Sequence, residues 1–571
     1  MADKAIITNL TALKNKYGAA GVTAIKKAVT DLIAADKKRG LNTILIALDD
    51  AAAMGKLNAP PVTNAGDPKE NKEAIDGIYR SLTPDYLMIL GAIDVIPHQD
   101  LKNSMFSPKP DADNEKFAYG DLPYACDAPY SQDVNKFTGV TRVVGRLPDL
   151  TGHKGSPTYL VALLKTATNW KSSPRAAYQD CLGISAEKWK ESTAQSLTNT
   201  FNTEKDLRTS PKENARWKTE LINRRTHFIN CHGGDTLPDF YGQSEVDDDV
   251  MPVSHRAAFV AKAGNILEGT VVAAECCFGA QLYDQSAADD SQMGMSNAYL
   301  GRKAYGFLGS TTTAYGPSSG NDQADLICQY FLQRVLAGAS LGRAALEARQ
   351  RFIEKSSPLS NMNRKTLAQF NLYGDPSIVP VKLPTSKLAL GPKLSGSSGK
   401  GFGLLSAKAA QDAASVERAE RREKLRAKGT MLGDLQPTFK KRDTGPSKKT
   451  QSLMEGMMRQ LNLTPVDTLS FDVGTAAPTG SKLLKGLAKG ATKTMAAKQP
   501  QTTAFHVCFG VAAASGAGKA SPKGVNKKGA PKGLTGGENG ERAPGTVKNF
   551  VVLEAKEVDG KIVSVSQAHS K

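Results

Sequence analysis

The stretch Val271-Val-Ala-Ala-Glu-Cys-Cys-Phe-Gly279 constrains the fold of this chain more than any other. A short run of small and β-branched apolar residues reads as a strand buried on both faces. Strands of that kind belong to parallel sheets covered by helices. The run stops in a carboxylate, two thiols, an aromatic ring and a glycine, so reactive groups fall at the strand's carboxyl end. In open α/β sheets that end is where sites form. A second run, Thr226-His-Phe-Ile-Asn-Cys-His-Gly-Gly234, stops in the same manner.

Comparable strand-like runs lie near 42–48, 84–91, 141–148 and 303–310. Helical patterns separate them at about 73–82, 156–170, 188–203, 322–338, 340–356 and 363–372. Residues 3–38 read as helical, with Leu10, Leu13, Val22, Ile25, Val29 and Ile33 at helical spacing. The alternation predicts an α/β fold, a three-layer sandwich with a mainly parallel sheet. Charge marks where this pattern ends. Residues 1–380 hold 42 Lys and Arg and 42 Asp and Glu, whereas residues 381–571 hold 32 against 14 and so carry the whole net charge of +18. The expected division is a helical segment at 1–40, an α/β domain at 41–385, a basic linker with helical segments at 386–500, and a small β-rich module at 501–571 with a flexible Lys/Gly-rich insert. Residues 391–403 and 515–545 read as flexible, 410–428 as a charged helix, and 482–489 as a basic amphipathic segment. Phe505–Val511 reads as a strand, and the stretch from Asn549 as a hairpin turning at Asp559-Gly560.

The first residues lack a basic start followed by an apolar core and a cleavage site. No apolar run approaches the roughly 20 residues of a membrane span. The seven cysteines are odd in number and lack the spacing of a disulfide framework. These features predict a cytoplasmic protein with reduced thiols and no membrane span.

A thiol nucleophile needs a base to deprotonate it and N–H donors for an oxyanion. Side chains alternate along a strand, so Glu275 and Cys277 share one face and Cys276 points to the other. The expected assignment is Cys277 as nucleophile, His232 as general base and acid, and the N–H groups of Gly233 and Cys277 as oxyanion hole. Cys276 is the alternative nucleophile. Gly279 is expected to permit a sharp bend after Cys277, and Gly233 a close approach after His232. A zinc site from Cys231, His232, Cys276 and Cys277 has the right ligand types, but adjacent ligands on a strand point apart. No cofactor is required for this chemistry. The acidic run Glu245–Asp249 offers at most a structural Ca²⁺ site, without a binding-loop signature.

An apolar strand ending in His-Gly, about 45 residues, then an apolar strand ending in Cys-x-Gly resembles the caspase, legumain, metacaspase and gingipain clan of cysteine peptidases. Two further stretches are similar to the gingipain branch: Tyr86-Leu-Met-Ile-Leu-Gly-Ala-Ile-Asp-Val-Ile-Pro97 and Phe370-Asn-Leu-Tyr-Gly-Asp-Pro-Ser-Ile378. The resemblance covers about 40–380 and implies a caspase-like fold and hydrolysis of peptide bonds. It departs from the pattern in placing Cys276 where an alanine usually precedes the nucleophile. The residue two before the nucleophile helps build the primary specificity pocket in related enzymes. Glu275 there implies a preference for Arg or Lys at P1, the substrate residue before the cut; legumain-like enzymes carry Glu at that offset and prefer Asn. Asp121, in Gly-Asp-Leu-Pro-Tyr, is a second pocket candidate. Cytoplasmic bacterial relatives of the clan serve as regulated proteases in defence or cell death.

The expected partner is a protein or peptide substrate, with a regulatory protein docking on the C-terminal region. The lysines of the tail also suit nucleic acid, without aromatic interleaving or a known binding motif. A second reading from another class is an inactive caspase-like scaffold that binds a protein or nucleic acid through this tail.

Overall fold

The structure, a computed structural model, describes residues 2–213, 217–288, 291–383, 402–474, 502–512 and 547–571. Ten strands form one sheet, in the order 43–47, 4–8, 86–90, 144–147, 370–373, 306–310, 271–274, 226–230, 181–186 and 207–210. Neighbours run parallel except 306–310 against 370–373. The sheet is therefore two parallel halves that meet back to back at one antiparallel pair. Helices pack in two groups against it. Leu10–Lys38 lies against Thr158–Asn169, which touches Met295–Gly301; Gln323–Leu336 lies against Leu341–Lys355 and Lys190–Phe201. The expected three-layer α/β sandwich with a mainly parallel sheet is present.

Four boundaries differ from the expectation. Residues 1–40 are not a separate helical segment, because Lys4–Thr8 is an interior strand of the sheet. Its buried Lys4 is neutralised by Asp36 (3.0 Å) and Asp375 (2.5 Å). Residues 370–373 end the expected last helix and form a strand. The helix near 410–428 is longer, Phe402–Asp434, and docks on the large domain. Arg418 and Arg422 pair with Asp85 at 3.4 and 2.8 Å, and Leu432 joins the main core. A Cβ on Gly429 would sit 1.9 Å from the Val140 carbonyl oxygen, so the helix backbone lies directly on the domain.

The C-terminal β module begins before residue 501. Strands 439–441, 463–473, 503–512, 551–558 and 561–570 form an antiparallel sheet, and the helix Lys448–Gln460 packs on it. The last hairpin turns at Asp559 (φ 49°) and Gly560 (φ 77°), as Asp-Gly predicts. This sheet does not stand alone. Its final strand pairs with Tyr315–Gly316 of the large domain. The Lys/Gly-rich insert, the amphipathic segment 482–489 and most of 391–403 lie outside the described residues. No described helix is long and apolar enough to cross a membrane.

Candidate active site

The two special strands are neighbours. Thr226 is level with Val271 and Ile229 with Ala274, where the pairing ends; His232 and Cys277 each follow three residues farther on. The chains touch just past the strand ends. A Cβ on Gly233 would lie 1.9 Å from the Cys277 carbonyl oxygen, so only glycine fits there. The bend after Cys277 is made differently from expectation. Phe278, not Gly279, takes the left-handed conformation, at φ 55°. For a bulky aromatic this costs on the order of 1 kcal/mol, and the turn is held by Phe278 N–H donating to the Thr312 carbonyl.

The Cys277 sulfur accepts from the Ala314 N–H at 3.1 Å. Burial pushes its thiol up to about 12, opposed by the Ala314 N–H. The loop that supplies this donor, Thr311 to Ala314, is pinned through Glu115. Thr313 Oγ1 donates to Glu115 at 2.9 Å, and Glu115 in turn pairs with Lys548 and with Lys365 at 3.1 Å, the latter also paired with Asp113. Cys276 is buried, its thiol raised well above its ordinary value by burial first and then by Cys231. The Cys276 sulfur lies 3.9 Å from the Ile229 carbonyl oxygen, on the neighbouring strand.

His232 lies under the Trp189 ring, with centroids 4.5 Å apart. Burial pulls its pKa down to about 4, so it is neutral. The tautomer follows from its partners. Gln243 Nε2 donates to the carbonyl and carboxylate of Asp248, both 3.3 Å, which leaves Gln243 Oε1 to accept from His232 Nε2 at 3.0 Å. Nδ1 then carries a lone pair, and it is buried without a hydrogen-bond partner among the described residues. In the acidic run, Asp248 steadies Gln243 and pairs with Lys188, and Glu245 pairs with Lys190 at 2.5 Å. No group of three or more metal-ligating side chains occurs among the described residues.

Glu275 and a residue the sequence reading missed, Asp325, form an acidic pocket beside the cysteine. Its contents are the chain's own Lys571, fully buried. Lys571 Nζ donates to Glu275 Oε2 at 2.8 Å and to Asp325 Oδ1 and Oδ2 at 3.1 and 3.2 Å. It also lies 5.5 Å from the Trp189 ring centre. Burial, then Asp325, raises the Glu275 carboxyl well above its ordinary value; burial lowers Lys571, but the two carboxylates outweigh it and raise it overall. Gly316 makes room, since a Cβ there would be 2.1 Å from Lys571 Cε. Asp325 opens the helix Gln323–Leu336, where an acid reads from sequence as an ordinary favourable charge at a helix start. Nothing local marks it as a pocket residue.

Among the described residues, the carboxylates that hold the Lys571 ammonium are those of Glu275 and Asp325, not that of Asp121. The Asp121 carboxylate is clasped by Arg146 Nη2 at 2.6 Å and Nε at 2.9 Å, and that guanidinium, against the opposing effect of burial, holds it below the usual carboxylate range. The Cys277 N–H, expected in the oxyanion hole, donates to the Lys571 carbonyl oxygen at 2.6 Å.

Peptidase family C25 matches residues 5–381. Among solved structures, one titled "Structure of Protease" is similar at 13% identity and a TM-score of 0.39, over 66% of this chain and 78% of the other. The Saccharomyces cerevisiae separase–securin complex is similar at 11% identity and a TM-score of 0.22, over 44% of this chain and 15% of the other. No curated protein matches the chain.

Proposed function

The chain belongs to peptidase family C25, a family of cysteine endopeptidases, and from that premise we propose that Cys277 and His232 are its dyad and that it cuts after Lys or Arg. The single observation that supports the basic preference most is a lysine ammonium held by Glu275 and Asp325 while the same lysine's carbonyl accepts from the Cys277 N–H. A P1 lysine placed so has its scissile carbonyl at the nucleophile.

In the proposed reaction the sulfur attacks the P1 carbonyl carbon as its proton passes to His232 Nδ1. Both groups rest neutral when buried, so proton transfer accompanies bond formation instead of preceding it. The oxyanion is stabilised by the Cys277 N–H and, in the same proposal, that of Gly233. The imidazolium then protonates the departing amine as the C–N bond breaks, leaving a thioester. Water, deprotonated by His232, hydrolyses it and restores the thiol. The acid of the pocket is remote from the bond and acts on binding, so the substrate is a protein or peptide with an exposed basic residue.

Seven buried, unpaired cysteines suit a reducing compartment, which supports a cytoplasmic location. The resemblance to the clan extends the proposal to a regulated bacterial protease of defence or cell death. The test is labelling by a lysyl acyloxymethyl ketone with mass mapping of the adduct. Label on Cys277, lost in Cys277→Ala and kept in Cys276→Ala, is expected. Label on Cys276, or on neither thiol, refutes the assignment.

A further inference from the structure

We propose that the last residues of this chain, His569-Ser-Lys571, are a ligand of its own active site and hold the enzyme in a self-occupied state. This rests on the peptidase reading above for its consequence, but not for its geometry. Lysine is among the residues least often buried, and a buried charge must be paired to be tolerated. Lys571 is fully buried and paired with two carboxylates, neither belonging to its own module. The backbone agrees with the side chain. Ser570 and His569 pair antiparallel with Tyr315 and Gly316, and the Lys571 N–H donates to the Ala314 carbonyl at 3.1 Å. An extended peptide added to an exposed edge in this way is a general mode of peptide recognition. Three successive residues thus lie as P3, P2 and P1, with the P1 carbonyl on the Cys277 N–H.

The segment is presented firmly. Ser570 Oγ donates to the Lys548 carbonyl at 2.9 Å, and Ser570 N–H to the Phe550 carbonyl at 3.0 Å, so the β module aims the tail into the cleft. It also explains why both reacting groups are sealed: Cys277 is 1% exposed and His232 is fully buried. A basic substrate must displace a ligand tethered to the same molecule. Tethering sets an effective concentration on the order of mM. If the free tail peptide binds at about 100 μM, the tether lowers apparent affinity for any competitor about tenfold.

Occupancy and activity are read separately. In a Cys277→Ala background, a fluorescein-labelled peptide Gln-Ala-His-Ser-Lys is titrated by anisotropy against the full chain and against the same chain with Lys571→Ala. The expected result is binding at least tenfold tighter to the Lys571→Ala protein. Equal affinity in the two, or no binding in either, overturns self-occupation. A Lys571→Arg chain keeps the ammonium's charge and is expected to block like the original; free binding there also counts against it. With Cys277 restored, hydrolysis of a lysyl-coumarin peptide is expected to rise about tenfold in Lys571→Ala. Absence of hydrolysis in both, alongside the expected anisotropy difference, removes the peptidase reading and leaves the self-bound tail standing.

Discussion

Replacing Asp325 by Asn tests the acidic pocket most directly, because it removes one charge and keeps the side chain's size. In the structure the Asp325 oxygens lie 3.1 and 3.2 Å from the lysine ammonium. At an effective dielectric constant of about 20 the gross attraction at that distance is about 5 kcal/mol. Not all of it is lost. Asp325 is the charge that, after burial itself, most raises the neighbouring Glu275 carboxyl. Removing it eases the ionisation of Glu275, which stays 2.8 Å from the ammonium and carries part of the attraction. A net loss of about 2–3 kcal/mol remains, which is a fall of roughly 30- to 150-fold in the kcat/KM of a lysyl substrate relative to an uncharged one. The assay compares peptides identical except for Lys or norleucine at P1. Norleucine keeps the stem and lacks the charge, so it loses no attraction, and its kcat/KM changes only by what a weakened tail gives both peptides. Using the ratio also cancels any effect of the variant on the chain's own tail, which competes with both peptides alike. A Lys/norleucine ratio within twofold of the original, or an equal fall for both peptides, would refute the assignment of Asp325 to the P1 pocket.

Three more expectations follow from the geometry. His255 is buried and neutral, accepting from Trp217 Nε1 at 2.9 Å on Nδ1 and bonded to Tyr299 at 2.8 Å through Nε2, and burial pulls its pKa down to about 3. A depressed histidine contributes stability that is complete above the unfolded value of about 6.5 and is lost as pH falls toward the folded value. The cost of His255→Gln in urea unfolding should therefore be constant above pH 6.5 and shrink by up to about 1.4 kcal/mol per pH unit below it; a cost unchanged from pH 7.5 to 5 contradicts this. Lys4→Met strands the buried carboxylates of Asp36 and Asp375 and should destabilise the large domain by about 3–5 kcal/mol, read as a lowered urea midpoint. Gly429→Val cannot keep the helix Phe402–Asp434 on the domain, since its first side-chain carbon already meets the Val140 carbonyl; faster proteolysis within that helix, with the large domain's core intact, is the expected sign.

Much of the α/β domain was legible because its strands are continuous apolar runs and its helices repeat their apolar residues at helical spacing. Val271–Ala274 and Thr226–Asn230 could be read, and their similar endings pointed to adjacent carboxyl ends. Lys4–Thr8 could not be read as an interior strand. A lysine in a buried strand looks wrong until its partners, 32 and 371 residues away, are known. Phe278 hid the bend for the opposite reason: a glycine stood beside it, and local propensity assigned the turn to the glycine. Asp121 looked like a pocket acid because nothing in its neighbourhood announced Arg146.

What the sequence determined by itself, then, is local: which runs become strands, and where the Asp-Gly hairpin turns. These depend on backbone sterics and on periods of two and 3.6 residues, which neighbours in sequence settle. Tertiary structure alone decided what fills the acidic pocket. Glu275, Asp325 and Lys571 are separated by tens to hundreds of residues, and only the folded sheet brings their charges within 3.2 Å. An ion pair in a dry interior is a property of distance, and sequence order does not encode distance.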